Sequence, residues 1–220
     1  AGGVAGAQEF PSRPVHLVVP NAPGGGTDVL ARLFAPYLQE MWKQPVVIDY
    51  KPGAGTVVGT DYVARSAPDG YTVGMIATAL VINPSLQPSM PFDTARDLSG
   101  VIMNSVAHLV LLSSPSLPVS NIADVIALAK KEPGKLNYAS AGTGSSMHLA
   151  GELLKVVGGV DIVHVPYKGG GPAMIDVMSG RVPLMFNPLY ASIPYMKGGK
   201  LKAIARSEEH TSELQSQSTI

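Results

Sequence analysis

The sequence predicts an α/β fold in two lobes, each a sheet flanked by helices. Three observations carry that reading. Apolar, β-branched runs alternate with helix-spaced segments along most of the 220 residues, the pattern of sheets covered by helices. A connection rich in Pro, Ser and Asp at 83–100 divides this alternation into two series. Three strand-to-helix junctions are glycine-rich, and ligands of open α/β sheets sit at the carboxyl ends of the strands.

The elements follow in order. Residues 1–7, "AGGVAGA", read as a signal-peptide remnant, because Ala5-Gly6-Ala7 fits a small-x-small cleavage pattern. "VHLVVP" (15–20) predicts a buried parallel strand. From Asp28 onward, Leu30, Leu33, Phe34, Tyr37, Leu38 and Met41 fall at helical spacing. Pro36 should kink that helix, since it brings no N–H to the ladder. "PVVIDY" (45–50) is the second strand, followed by a helix over 56–66, a turn at "APDG" and a third strand in "YTVGMIA" (71–77). "VIMNSVAHLVLLSS" (101–114) is too long for one ordinary strand and reads as two strands or as one passing between lobes.

A second series then runs helix 121–131, strand 136–140, helix 145–157, strand 161–167, helix 171–179, strand 182–187, helix 189–197 and strand 201–205. Residues 8–100 therefore make the first lobe and 101–205 the second. The remainder, 206–220, is polar and lacks periodicity, and Arg206 to Gln217 resembles an in-frame translation of a common sequencing adapter. This tail is expected to be non-native.

Composition removes several functions. Sixteen basic and sixteen acidic residues cancel, and the longest basic run is Lys130-Lys131, which excludes nucleic acid as a partner. No stretch approaches the roughly 20 apolar residues of a membrane helix. Cysteine is absent, as is common in exported bacterial proteins, and no thiol nucleophile or lipid-anchored Cys is available. The five His residues (16, 108, 148, 164, 210) show no paired ligand spacing, so no metal and no cofactor is expected.

"APGGGTD" (22–28) lacks the Lys of a nucleotide P-loop, and Val29 stands where a dinucleotide loop needs its third glycine. What remains is a glycine loop leading to a helix capped by Thr27 or Asp28, which suits either a small anion or a tight turn. "PGAGTVVG" (52–59) reads as tight backbone packing. "SAGTGSSMHLAGE" (140–152) repeats the first design, with Ser145 or Ser146 as the cap. It lacks the second glycine of a nucleophile elbow, and Ser146 and His148 point in different directions on a helix. "PYKGGGPAM" (166–174) is a third such junction, with Pro172 in the first helical turn. Asn187 ends the strand "LMFN" at an equivalent edge. The pattern is a pair of jaws, each offering backbone N–H groups and hydroxyls to one anion.

These segments also carry a resemblance. "PSRPVHLVVPNAPGGGTDVLARL", "KPGAG", "SAPDGYTV", "MPFDTARDL", "NYASAGTGSSMHLAGELL", "VPYKGGGPAM" and "GRVPLMF" occur in the order in which they occur in the tripartite tricarboxylate transporter receptors, the Bug family, which the chain resembles over about residues 9–205. The resemblance implies a type II-like, two-lobed periplasmic binding protein of the Venus flytrap kind. It implies a monomer without enzymatic activity that captures a small organic acid (a di- or tricarboxylate, an amino acid or an aromatic acid) and delivers it to membrane permease subunits. By matching motif it implies ligand contacts from Gly24, Gly25, Gly26, Thr27, Asp28, Thr78 and Asn83 in the first lobe. From the second lobe it implies Ser140, Gly142, Thr143, Gly144, Ser145, His148, Tyr167, Lys168 and Gly169, and Asn187 is a further ligand candidate from its place at the strand end.

Three departures stand out. Asn187 replaces an Asp usual after the Met-Phe pair, "TVVG" follows "KPGAG" where Gly-Asn is usual, and family members run on for roughly another third of this length, within the range of two α/β domains. The first lobe is accordingly expected to be incomplete. The competing readings are a sensor that hands its liganded form to a signalling receptor, and a serine-dependent hydrolase using Ser145, Ser146 or His148.

Overall fold

The computed structural model describes residues 9–206. The expected signal remnant and residues 207–220 of the expected non-native tail lie outside the described residues. Arg206, the first residue of that tail, ends a strand and pairs with Val110.

The first lobe holds β1 (Val15–Val19), α1 (Gly26–Trp42), β2 (Val46–Tyr50), a 3-10 turn (Ala54–Thr56), α2 (Val57–Ala64), β3 (Thr72–Gly74) and α3 (Ala79–Leu86). Its sheet has the order β2-β1-β3, all parallel. The second lobe holds β4 (Leu109–Ser113), α4 (Ile122–Lys131), β5 (Asn137–Ser140), α5 (Ser146–Gly158), β6 (Val163–Pro166), α6 (Gly170–Met178), β7 (Leu184–Pro188), α7 (Leu189–Lys197) and β8 (Lys202–Arg206). Its order is β6-β5-β7-β4-β8, with β4 antiparallel to both neighbours and β5 parallel to both of its own.

The two lobes share one plan. In β1–α1–β2–α2–β3 and again in β5–α5–β6–α6–β7, the first strand is central, the second lies on one side and the third on the other. The winding reverses beside β1 and beside β5, and at such switch points the loops diverge and leave a crevice.

Packing follows the two-residue period of the strands. In the second lobe Val110, Leu112, Ala139 and Met185 enter one buried cluster with Met174 and Val177 of α6. Leu111, Tyr138 and Leu184, one residue out of phase, enter the other with Val125 and Ala129 of α4. A sheet covered on both faces buries apolar residues in both phases of its strands, as Val110, Leu111 and Leu112 do here. The first-lobe core is smaller, with Leu17, Val19, Ala31 and Met75 buried and Phe34, Ile48 and Val73 packed around them.

Several expectations need correction. The N-cap of α1 is Gly25, with no side-chain cap, so Thr27 and Asp28 lie within the first turn. The helix itself forms as expected, with Pro36 inside it, and ends at Trp42. Leu33, Tyr37 and Met41 face outward, because only one side of α1 meets the three-stranded sheet. Part of the expected connection folds as α3, with Pro84 inside it. In the apolar run 101–114 only Leu109–Ser113 becomes a strand. Strand formation needs a neighbour for the backbone groups: β4 has β7 and β8, whereas no strand of the described residues lies beside 101–106.

Candidate functional site between the lobes

The glycine loops meet crosswise. The loop after β1 faces the turn after β6: the Ala22 N–H donates to the Lys168 carbonyl at 2.8 Å, and a Cβ on Gly25 would stand 3.1 Å from the Gly170 nitrogen. The turn after β2 faces the loop after β5: a Cβ on Gly142 would lie 3.6 Å from Gly55 Cα, and one on Gly55 would overlap the Thr143 carbonyl oxygen. First-strand loop against second-strand loop, on both diagonals, is what a two-fold relation between equivalent units produces. Backbones approach this closely only where side chains are absent, so the glycines permit the lobes to close.

Between the crossed loops lies a cavity of about 40 Å³, lined by Pro20, Asn21, Gly53, Ala54, Gly55, Thr56, Ala141, Tyr167 and Lys168. One water needs roughly 10–15 Å³ by the same measure, so the cavity holds a small polar group rather than a whole organic acid. A wider groove of about 660 Å³ continues outward past Ala22, Gln87, Gly142, Thr143, Pro166 and Pro172, sharing Ala54, Gly55, Tyr167 and Lys168 with the cavity. Lys168 is the one charged side chain in either lining, and no Asp or Glu lines them.

The turn after β2 carries strain. Gly53, Ala54, Gly55 and Thr56 have successive φ values of 148°, 45°, 61° and 84°. Left-handed backbone costs Ala54 and Thr56 about 1–2 kcal/mol each, and such outliers persist where surrounding contacts over-determine them. Here the Asn83 side-chain amide donates to the Gly55 carbonyl at 2.8 Å, and the Thr56 N–H donates to the Gly53 carbonyl at 2.9 Å. Thr56 Oγ1 and Asn83 Oδ1 are buried without a hydrogen-bond partner. An unpaired buried polar atom costs about 1–3 kcal/mol, and Thr56 belongs to the cavity wall.

The expected site residues separate into groups. Gly142, Thr143, Tyr167 and Lys168 line the groove or the cavity. Gly24, Gly25 and Gly26 form the interlobe contact, Gly26 beneath Tyr190. Gly169, with φ 143°, packs on Ala22, and Gly144 packs on Asn83. Ser145 is the N-cap of α5; its hydroxyl accepts the His148 N–H at 3.2 Å and donates to the Gly142 carbonyl at 2.7 Å. Thr27 Oγ1 accepts from Asn21 at 3.3 Å.

Asp28 is buried and already engaged: its carboxylate accepts from the Gly24 N–H, Arg32 Nε and the Tyr50 hydroxyl. Burial pushes that carboxyl up, but Tyr50, Gly24 and Arg32 together outweigh it and hold the group below its ordinary value. Asp28 thus stiffens the glycine loop from behind.

Three other residues lie apart from the linings. Thr78 is exposed at the start of α3. Ser140 is fully buried, its hydroxyl accepting the Gly142 N–H at 3.0 Å. Asn187 is fully buried, donates to Ser192 Oγ at 2.8 Å and faces Gly170. The Tyr167 hydroxyl donates to Asp176 at 2.6 Å, and burial, then that carboxylate, pushes its pKa up to about 12. The tyrosine therefore stays neutral.

Sequence reasoning passed over Pro20, Asn21, Ala54, Thr56, Gln87 and Ala141. For Ala54 a signal existed: "KPGAG" follows the second strand of its series, as "YKGGGP" does in the other. Neither Ser140 nor Ser145 is placed as a nucleophile. Ser140 Oγ lies 2.6 Å from His164 Nε2 but is sealed from solvent, and Ser145 is spent on its cap.

Two α/β lobes closed over a small polar cavity, with a lysine and no acidic side chain in its wall, define a two-lobed solute receptor. The chain belongs to the tripartite tricarboxylate transporter family of receptors, whose match covers residues 30–216 and so runs into the segment expected to be non-native. It is 39% identical to protein BugT of Bordetella pertussis over 201 residues, covering 90% of this chain and 62% of that one. The chain thus spans less than two thirds of the length of the first curated relatives it matches. Among solved structures, Rpa4515 of R. palustris with adipate superposes at a TM-score of 0.86 and 38% identity, over 90% of this chain and 67% of that one. MatC from Rhodopseudomonas palustris with bound malate gives 0.83 and 29%, over 91% and 69%. The family consists of periplasmic solute receptors rather than enzymes.

Proposed function

We propose that this chain is the ligand-capturing part of an exported receptor that closes on one carboxylate of a small organic acid and presents it to the permease subunits of a tripartite tricarboxylate-type transporter. The observation that carries the reading is the lining of the interlobe cavity, which has Lys168 and no carboxylate; the hydroxyl of Thr56, a residue of the same wall, is buried and unpartnered. The helix-initiating turns before α5 and α6 add orphan N–H groups and the positive ends of two helix dipoles. The cavity admits one carboxylate, and the open groove takes the rest of the molecule. Adipate and malate, held by two structural relatives, are the first ligands to try. Gly142, Thr143, Tyr167, Lys168 and Thr56 are the proposed contacts. Gly24 to Asp28, Asn83, Ser140, Gly144, Ser145, His148, Gly169 and Asn187 act by shaping the loops.

A thermal-shift screen with dicarboxylates, tricarboxylates, amino acids and aromatic acids tests this. Anything that binds only the native state stabilises it, by about 2.7 kcal/mol at a hundredfold excess over Kd. A folded chain that no acid stabilises would overturn the proposal.

A further inference from the structure

Beneath the second-lobe loop lies a stack of rings outside the cleft. His148 of α5 and His164 of β6 have ring centroids 4.2 Å apart, and His164 stacks in turn on Tyr138 of β5 at 5.0 Å. Each imidazole holds one part of the loop. His148 Nδ1 accepts the Gly144 N–H at 3.3 Å, which requires a ring nitrogen that carries no proton. His164 Nε2 is 2.6 Å from Ser140 Oγ, which in turn accepts the Gly142 N–H at 3.0 Å. Gly142 lines the groove. Two imidazoles behind the loop thereby set the peptide groups in front.

We propose that His148 and His164 form a proton-sensitive clamp on the ligand loop: His164 is a positioning residue acting through Ser140, and protonation of His148 releases Gly144. A proton on His148 Nδ1 points a second donor at the Gly144 N–H, replacing a hydrogen bond by a donor–donor clash. Two imidazolium rings at this separation repel, so the pair takes up one proton before it takes two.

The neighbouring groups set the balance. Tyr138 donates to Glu152 at 2.7 Å, Lys155 pairs with Glu152 at 2.9 Å, and Glu152 lies 4.0 Å from His148 Nε2. Burial disfavours both imidazoliums, Glu152 favours them and Lys155 opposes. Burial prevails, and both rings are neutral at pH 7, with His164 held at about 4. β7 and α3, which also reach this end of α5, carry no titratable side chain.

The clamp itself rests on loop geometry, and its consequence for ligand rests on the carboxylate-receptor reading. Isotope-labelled full chain is titrated by NMR from about pH 8 to 4, following the His148 and His164 rings and the Gly142 and Gly144 amides. The Gly144 amide is expected to move with the His148 ring, at a shared midpoint below the ordinary 6.5. In His148→Asn, which keeps an acceptor and cannot titrate, the Gly144 amide is expected to stay fixed.

A Gly144 amide that ignores the His148 titration overturns the clamp, as does one that still titrates in a folded H148N chain. The wild-type comparison decides alone if H148N does not fold. With adipate, calorimetry should find wild-type affinity falling about tenfold more than that of H148N per pH unit below the midpoint; equal falls overturn the link to ligand. Absence of heat from both chains near pH 7.5 counts against the receptor reading, and the Gly144 titration then decides the clamp.

Discussion

Gly171→Ala separates closure from folding. Gly171 is the second residue of α6, with ordinary helical backbone, and in the closed lobes a Cβ there would overlap the Pro23 carbonyl oxygen and stand 3.0 Å from Gly24 Cα. Both neighbours are backbone of the other lobe, so neither can rotate away. Within its own lobe the substitution is favourable, since Ala exceeds Gly in helix preference by about 1 kcal/mol in a helix interior and by less in a first turn. Overpacking at a fixed contact costs about 1–3 kcal/mol. That cost falls only on the closed state, and a ligand held by both lobes feels all of it. At 1.4 kcal/mol per factor of ten, adipate affinity should drop about 5- to 150-fold. Calorimetry with adipate, paired with the unliganded melting temperature, gives the two readings. A G171A chain that binds as tightly as the parent would refute closure through the crossed loops, and one that melts markedly lower would show that Gly171 serves folding.

The other predictions concern the supports behind the loops. Asp28→Asn removes a buried charge that accepts three hydrogen bonds and should cost about 2 kcal/mol, or roughly 4–8 °C in Tm. Because the folded Asp28 carboxyl sits below its unfolded value, its stabilisation is present above about pH 4 and is lost as pH falls through the folded value. The acid limb of D28N measured by circular dichroism should therefore be shallower. Gly151→Ala lies inside α5, where helix preference predicts a gain, yet its Cβ would overlap the Tyr138 ring. A loss of about 3 kcal/mol in urea unfolding is expected, and a gain would show that the ring can move. The lowered pKa of His164 means that stability is complete above the unfolded value near 6.5 and declines as pH falls towards about 4. His164→Asn should flatten that slope in denaturation series taken across the same pH window.

Much of the architecture was legible because a doubly covered sheet imposes a strong signal. Every residue of Leu109–Ser113, Asn137–Ser140 and Leu184–Pro188 meets a helix layer or a neighbouring strand, so the apolar runs mark their own strands. The glycine loops after β1, β5 and β6 were legible because close backbone approach admits little else. What stayed hidden depends on contacts distant in sequence. α3 contains Pro84, a residue that argues locally against a helix, and its Asn83 is placed by Gly55, 28 residues away. Thr56 carries no local mark, since its left-handed backbone and buried hydroxyl arise from how the turn is pressed between lobes. Asp28 was misread for the opposite reason. An acidic residue in a first turn suggests a cap, whereas Tyr50, from a different strand, draws its carboxylate back behind the loop.

The shared plan of the lobes also bears on the exposed apolar run at 101–106. In the second lobe, β4 enters beside β7 and β8 adds beyond it, so the parallel trio is flanked by two further strands. Among the described residues the first lobe has the trio alone, and Val101, Ile102, Met103 and Val106 are 84%, 82%, 80% and 72% exposed. Such a run has the composition of a buried strand and the surroundings of a loop. Among the described residues an unpaired edge of β3 and an exposed apolar segment occur together, the combination that templates association between chains. Light scattering should therefore find this chain associating with rising concentration, and Val101→Lys with Met103→Glu should suppress it while leaving adipate binding unchanged. Association undiminished by that double substitution would place its cause elsewhere.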